Sequence, residues 1–118
     1  MKKFSLLAFA VFIVAAFASN AKVFTASLPY IMPLVILHNA VALSSGYALA
    51  AAFGLPFSDR KTITFETGVQ NSGLGLILIF TFFNGMPQMA IVAASWGLWH
   101  LISGGTLAWW WGRKKNVY

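Results

Sequence analysis

Residues 66–73, Glu-Thr-Gly-Val-Gln-Asn-Ser-Gly, place a carboxylate, two carboxamides, two hydroxyls and two glycines inside an otherwise apolar run. Burying a carboxylate in a segment suited to lipid costs at least ~3 kcal/mol, so residues of this kind are candidates for function. Glycine lacks a Cβ and therefore favours a local departure from helical geometry. The stretch predicts a transmembrane helix that is interrupted at a polar site.

The composition of the whole chain indicates the class of protein. The 118 residues are 59% hydrophobic and 8% charged, whereas soluble domains carry about 25% charged residues. We therefore expect an all-α integral membrane protein. The absence of cysteine excludes disulfides and thiolate metal sites. The net charge of +6 is spread over short clusters between apolar runs, a distribution that topology explains better than a nucleic-acid-binding face does.

The apolar runs predict four transmembrane helices within one membrane domain, residues 1–118. Turn residues separate them at Gly54–Lys61, where Ser58 or Asp59 is a candidate helix cap, and at Asn84–Pro87. The third helix is expected to be discontinuous near Glu66–Gly73. The predicted spans are about 4–21, 28–53, 62–83 and 89–111.

The N-terminal residues allow two interpretations. Lys2 and Lys3, the apolar run Phe4–Phe17 and the small-x-small triplet Ala16–Ala18 are typical of a secretory signal peptide, which would cover residues 1–18. The alternative is a short first transmembrane helix, at the lower limit of the spanning length. These residues alone favour neither interpretation.

The basic residues predict the orientation in the membrane. With a cytoplasmic N-terminus, seven of the eight lie inside and only Lys22 lies outside. Such a bias satisfies the positive-inside rule, so we expect both termini in the cytoplasm and a multi-pass protein of the inner (plasma) membrane. The seven are Lys2, Lys3, Arg60, Lys61, Arg113, Lys114 and Lys115.

The polar cluster has the chemistry of a sodium site. Glu66 and Gln70 are four residues apart and share one face of an intact helix, whereas Asn71 points about 100° away. Local unwinding would bring Asn71 and main-chain carbonyls to the same point. Such breaks are tolerated at membrane depth where they line a cavity, and in secondary transporters they bind substrate and ions. Carboxylate, amide and carbonyl oxygens suit Na⁺ better than a transition metal.

An alternative reading assigns these residues to structure. Glu66 would be a solvated acid near the membrane surface, and the amides after it would join helices by hydrogen bonds. The polar residues elsewhere in the spans, His38, Asn39 and His100, are read mainly as helix-packing groups and secondarily as ligands.

Four stretches resemble the bile acid:sodium symporter family, in order and with family-like spacing over essentially the whole chain. The Glu-x-Gly-x-Gln-Asn-Ser-Gly element is specific, and the flanking stretches are weak alone. They are Leu37–Asn39, Gly54–Pro56, Asp59–Leu74 and Trp99–Gly104. Residues Val14–Lys22 are similar to the end of a transmembrane helix in this family, which favours a retained first helix over a signal peptide.

The resemblance implies roles for the residues of the cluster. The family is built from two inverted repeats, and this chain matches the C-terminal part of such a secondary transporter, without the crossing helix of the first repeat. The resemblance implies that Glu66 and Gln70 coordinate sodium, together with the backbone carbonyls of Thr67 and Val69. It places Asn71 beside the substrate, with His38, Asn39 and His100 as further substrate candidates.

The function implied is sodium-coupled transport of an organic anion by alternating access, with Na⁺ as coupling ion, no other cofactor and no enzymatic activity. The expected partners are membrane lipid, the anion and a separate chain that supplies the first repeat; nucleic acid is not among them. The alternatives are an accessory or remnant membrane protein that does not transport and, less favoured, a small multidrug exporter-like protein.

Overall fold

The computed structural model describes residues 21–113 and, before them, positions 4, 7, 8, 11, 14, 15, 18 and 19. This part of the chain is helical, as predicted. The predicted helix 4–21 and the alternative signal peptide 1–18 lie largely outside the described residues. The helices with defined bounds are α1, Ala21–Ala52; α2, Phe57–Gly68; α3, Ser72–Phe82; and α4, Pro87–Arg113.

The predicted discontinuity near Glu66–Gly73 is confirmed. The helix that starts at Phe57 ends at Gly68, and the next begins at Ser72. At about 1.5 Å per residue, the 12 residues of α2 and the 11 of α3 each reach less than 20 Å. Neither half-helix alone can span a hydrocarbon core of about 30 Å, so the two together are needed to cross it.

Two helices begin earlier than predicted. Helix α1 starts at Ala21 and not at residue 28, because a lysine at position 22 interrupts apolarity without opposing helical geometry. Helix α2 starts at Phe57 and not at residue 62. Its N-cap residue is Pro56, with no side-chain cap hydrogen bond, so the predicted cap by Ser58 or Asp59 is wrong.

One helix in the described part of the chain, α1, is long and apolar enough to cross a membrane by itself. It contains two internal prolines, Pro29 and Pro33. Helix α4 is 27 residues long, and Pro87 occupies its first position, where a fixed φ favours helix initiation. The four-span arrangement, the inverted-repeat origin and the single domain over 1–118 stay predictions.

Helix α1 packs mainly against α2 and α4, and α3 packs against α4. Close approach between α1 and α2 depends on Gly46, where a Cβ would lie 2.7 Å from Thr67 Oγ1 and 3.1 Å from the Ile63 carbonyl oxygen. Gly68 has the same function on the other helix, because a Cβ there would overlap the Leu43 side chain. The end of α2 is thus held tightly against α1.

Aromatic contacts join the start of α2 to the end of α4. The Trp111 ring lies 6.1 Å from Phe57 and 5.6 Å from Phe65, centroid to centroid, and 6.3 Å from Tyr47 of α1. Lys61 places its ammonium 4.4 Å from the Phe57 ring centroid. These contacts place the start of α2 and the end of α4 side by side. The basic residues there, Lys61 and Arg113 among them, therefore lie at the same end of the molecule.

Candidate ion-binding site at the helix break

Residues 69–71 form the break between the half-helices. Val69 has φ −104° and ψ 92°, outside the helical region, although its N–H still donates to the Phe65 carbonyl at 2.8 Å. Asn71 caps α3, because its Oδ1 accepts a hydrogen bond from Leu74 N at 3.0 Å. The sequence therefore ends one helix at a glycine and starts the next with an asparagine cap.

The residues at the break differ in exposure. Gly68 and Ser72, the last and first helical residues, are buried, whereas Val69, Gln70 and Asn71 between them are exposed. Glu66, the carboxylate one half-turn before the break, is also exposed. The ends of the half-helices therefore pack against the protein, while Glu66, Val69, Gln70 and Asn71 are exposed.

The predicted sodium ligands have the following local contacts. Gln70 Nε2 donates to the Thr67 carbonyl at 2.6 Å, so two of the predicted groups already touch each other. Thr67 Oγ1 donates to the Ile63 carbonyl at 2.7 Å, within its own helix. The hydroxyl of Thr67 is thus hydrogen-bonded within α2, and its backbone carbonyl oxygen accepts from the Gln70 side-chain amide. These ligand assignments remain predictions.

Asn39 connects three helices behind the break. Its side chain is only 1% exposed. Its Nδ2 donates to the Gly68 carbonyl of α2 at 2.8 Å, and its Oδ1 accepts from Ser103 Oγ of α4 at 2.6 Å. Both ends of the amide are therefore used to hold the protein together, which is the packing role that the sequence favoured for Asn39.

The two histidines occupy different environments. His100 is buried, and its Nδ1 lies 3.5 Å from Ser72 Oγ at the start of α3, at the limit of a hydrogen bond. His38 is exposed, and its ring centroid lies 4.8 Å from that of Trp96. His100 therefore lies next to the break, whereas His38 packs against Trp96. Their roles as substrate ligands stay predictions.

Sequence reasoning missed the partner of Asn39. Ser103 lies 64 residues away along the chain, and its sequence context of glycines indicates close helix packing, not a particular hydrogen bond. The missed signal was the spacing of three between His100 and Ser103, which puts both polar groups on one face of α4.

Comparison with known proteins shows similarity to sodium-dependent transporters. The chain is 37% identical over 84 residues to YocS of Bacillus subtilis, described as an uncharacterized sodium-dependent transporter, covering 71% of this chain and 26% of that protein. It is 35% identical over 94 residues to the probable chloroplastic sodium/metabolite cotransporter BASS1 of Oryza sativa subsp. japonica, covering 79% and 23%. The BASS1 protein of Arabidopsis thaliana is 36% identical over 69 residues, covering 58% and 17%.

The matches cover much of this chain but little of each relative. No protein-family model matches the chain, and no solved structure matches it. The relatives are named as transporters, a class distinct from enzymes. The resemblance to the bile acid:sodium symporter family is therefore confirmed, for a stretch that spans about a quarter or less of the length of the curated relatives it matches.

Proposed function

We propose that the chain supplies the C-terminal core helices of a sodium-coupled secondary transporter that moves an organic anion by alternating access. The observation that carries the proposal is the helix break, at which the half-helix ends are buried and the polar groups are exposed. Similarity to sodium-dependent transporters supports it. A broken helix of this kind is where secondary transporters bind their ions.

In this proposal Glu66 and Gln70 supply side-chain oxygens to sodium, and Thr67 and Val69 supply carbonyls. Gln70 Nε2 donates to the Thr67 carbonyl, which orients the amide and leaves its Oε1 available for the ion. The Thr67 carbonyl has two lone pairs and can serve both the amide and sodium. Binding sodium would therefore tie the end of α2 to the residues of the break.

The site needs groups from outside the described helices. Glu66, Gln70 and Asn71 are exposed, and the chain spans about a quarter or less of its relatives. We propose that the first repeat, on another segment or a separate chain, closes over this surface. The organic anion would then bind beside Asn71, with the coupling to sodium arising because both ligands favour the same closed conformation.

The test is sodium-dependent uptake of organic anions into vesicles that contain this chain and a complementary first half. Glu66→Gln keeps the shape and removes the charge, so we expect loss of at least 90% of the sodium-dependent uptake, corresponding to more than ~1.4 kcal/mol. Asp59→Asn is the matched control, because Asp59 is the other acidic residue and is exposed away from the break. Sodium-dependent uptake that survives Glu66→Gln would remove the sodium assignment.

An accessory membrane protein is the second candidate. Its support is the exposure of large apolar side chains on α1, α3 and α4, such as Tyr30 at 82% and Phe82 at 72%, a surface that suits lipid or partner helices. This reading predicts that sodium changes neither uptake nor the stability of the chain. The small multidrug exporter reading has no support from relatives that are named as sodium-dependent.

A further inference from the structure

One face of α4 contacts both ends of the helix break. We call it the backing face and define it as Gly97, His100, Ser103 and Gly104, which at 3.6 residues per turn fall within an arc of about 120° on one side of the helix. A Cβ at Gly97 would lie 3.0 Å from both Cβ and Oγ of Ser72, and one at Gly104 would lie 3.0 Å from Val69 Cγ2. Because these two glycines lack a Cβ, Ser72 and Val69, on the two sides of the break, can pack closely against α4.

The upstream end of the break is held through Asn39. The last carbonyls of a helix have no partner within that helix, and the Gly68 carbonyl receives the Asn39 amide at 2.8 Å instead. Ser103 Oγ fixes the other end of that amide at 2.6 Å. The backing face therefore reaches the end of α2 through one buried side chain.

The downstream end is held directly. Ser72, the first residue of α3, is 8% exposed and faces His100 Nδ1 at 3.5 Å. Ser103 Oγ also lies 3.3 Å from the His100 carbonyl oxygen. His100 and Ser103, one turn of α4 apart, thus connect to the two half-helix ends, His100 directly and Ser103 through Asn39.

We infer that the backing face, acting through Asn39, positions the helix break so that the sodium ligands on it are held at a fixed separation. Asn39, Ser103 and His100 are positioning residues in this inference, since they are linked by hydrogen-bond contacts to the buried ends of the break, whereas Glu66 and Gln70 are exposed. The inference rests on the proposed function where it calls the positioned groups sodium ligands. The contacts that hold the break in place do not themselves require sodium. The two can therefore be tested apart.

The first test measures amide hydrogen exchange of residues 66–76 in the full chain in lipid nanodiscs without sodium. Asn39→Leu keeps the number and branching of the side-chain heavy atoms and removes both hydrogen bonds, and we expect exchange about tenfold faster, in line with loss of a buried hydrogen bond. Asn39→Asp keeps the acceptor for Ser103 but cannot donate to Gly68, so it should behave like Asn39→Leu. Ser103→Ala should give a smaller, several-fold increase.

Ser45→Ala is the matched control for Ser103→Ala, because the Ser45 hydroxyl bonds to the Ala42 carbonyl of its own helix and is exposed. It should leave exchange at the break unchanged. If Asn39→Leu prevents folding, Ser103→Ala and Asn39→Asp decide the question. Exchange that is unchanged in both, or raised equally by Ser45→Ala, would overturn the inference.

The second test measures sodium-dependent uptake with a complementary first half. Ser103→Ala should raise the half-saturating sodium concentration severalfold at similar maximal uptake, whereas a purely structural loss would lower the maximum alone. A wild-type chain with no sodium-dependent uptake, combined with faster exchange in the Asn39 variants, would reject the proposed function and retain the positioning role. A fall in maximal uptake without a change in sodium dependence would reject the positioning of the ligands.

Discussion

Asn71 has one role in the structure and a second in the proposed function, and substitution can separate them. Its Oδ1 accepts from Leu74 N at 3.0 Å and so caps α3, whereas its place beside the substrate is a proposal. A cap needs only a short side chain with an acceptor, whereas recognition of an anion by an amide needs the N–H donors. Serine therefore replaces the first role and not the second.

We expect Asn71→Ala to lower the stability of the purified chain by about 1 kcal/mol, the usual cost of losing a cap. Asn71→Ser should retain most of that stability. Thermal unfolding in detergent micelles measures both. With a complementary first half present, both variants should lose anion uptake. Uptake by Asn71→Ser equal to wild type would contradict the substrate role, and equal stability of all three chains would contradict the capping role.

Whether the sequence could predict the role of a residue depends on how far along the chain its interaction partners lie. Glu66 was found from the cost of a carboxylate in apolar sequence, which is a local property. The hydrogen bond from Asn39 to the Gly68 carbonyl joins residues 29 apart, and that to Ser103 spans 64. Such contacts depend on how helices pack, and a single sequence without the packing does not specify them.

At the scale of the elements, Trp111 links three helices at one end of the structure. Its ring contacts Tyr47 of α1 and both Phe57 and Phe65 of α2. Trp109, two residues earlier, has its ring 3.9 Å from the Arg113 guanidinium of the same helix. The two tryptophans therefore differ in whether their contacts hold helices together.

We expect Trp111→Ala to destabilise the chain by about 1–3 kcal/mol, because aromatic pairs contribute about 0.5–1.5 kcal/mol each beyond the area they bury. Trp109→Ala removes the same side chain and is the matched control, with an expected effect of less than ~1 kcal/mol. Thermal unfolding of each variant decides the point. Equal losses would show that the interhelical contacts contribute nothing beyond tryptophan burial.

Helix type and the position of the break were predictable, and helix ends were not. Apolar composition indicates helices in a membrane protein. Gly68 and Gly73, with the polar residues Gln70, Asn71 and Ser72 between them, locate the interruption. The starts of α1 and α2 were placed too late because hydropathy reports where a helix enters lipid, while hydrogen bonding continues beyond it. Residues 21–27 contain no proline or glycine, so the backbone stays helical there.

At the scale of the whole molecule, the contact between Phe57 and Trp111 supports the predicted orientation. It places the start of α2 and the end of α4 together, so Arg60, Lys61 and Arg113 occupy one end. The turn with Asn84 at φ 52° and Gly85 at φ 64° lies between α3 and α4, at the other end of both helices. The positive-inside rule predicts that the basic end faces the cytoplasm.

This orientation is testable because the chain contains no cysteine. A single cysteine in place of exposed Ser58 should react with a membrane-impermeant thiol reagent only after the cells are permeabilised. One in place of exposed Gln88, in the first turn of α4, should react in intact cells. The opposite pattern, or labelling of both from outside, would contradict the predicted topology.

The length of α1 and its two prolines together restrict how this helix can lie in a bilayer. Its 32 residues extend about 48 Å, and fitting that length into a core of about 30 Å would need a tilt near ~50°, beyond the usual upper range of about 40°. Pro29 and Pro33 lack the N–H groups that the carbonyls of Thr25 and Pro29 would otherwise receive. Bare carbonyls are excluded from hydrocarbon. We therefore expect the carbonyls of Thr25 and Pro29 to meet headgroups, water or donors from another helix, so that this end of α1 either leaves the hydrocarbon or is covered by protein.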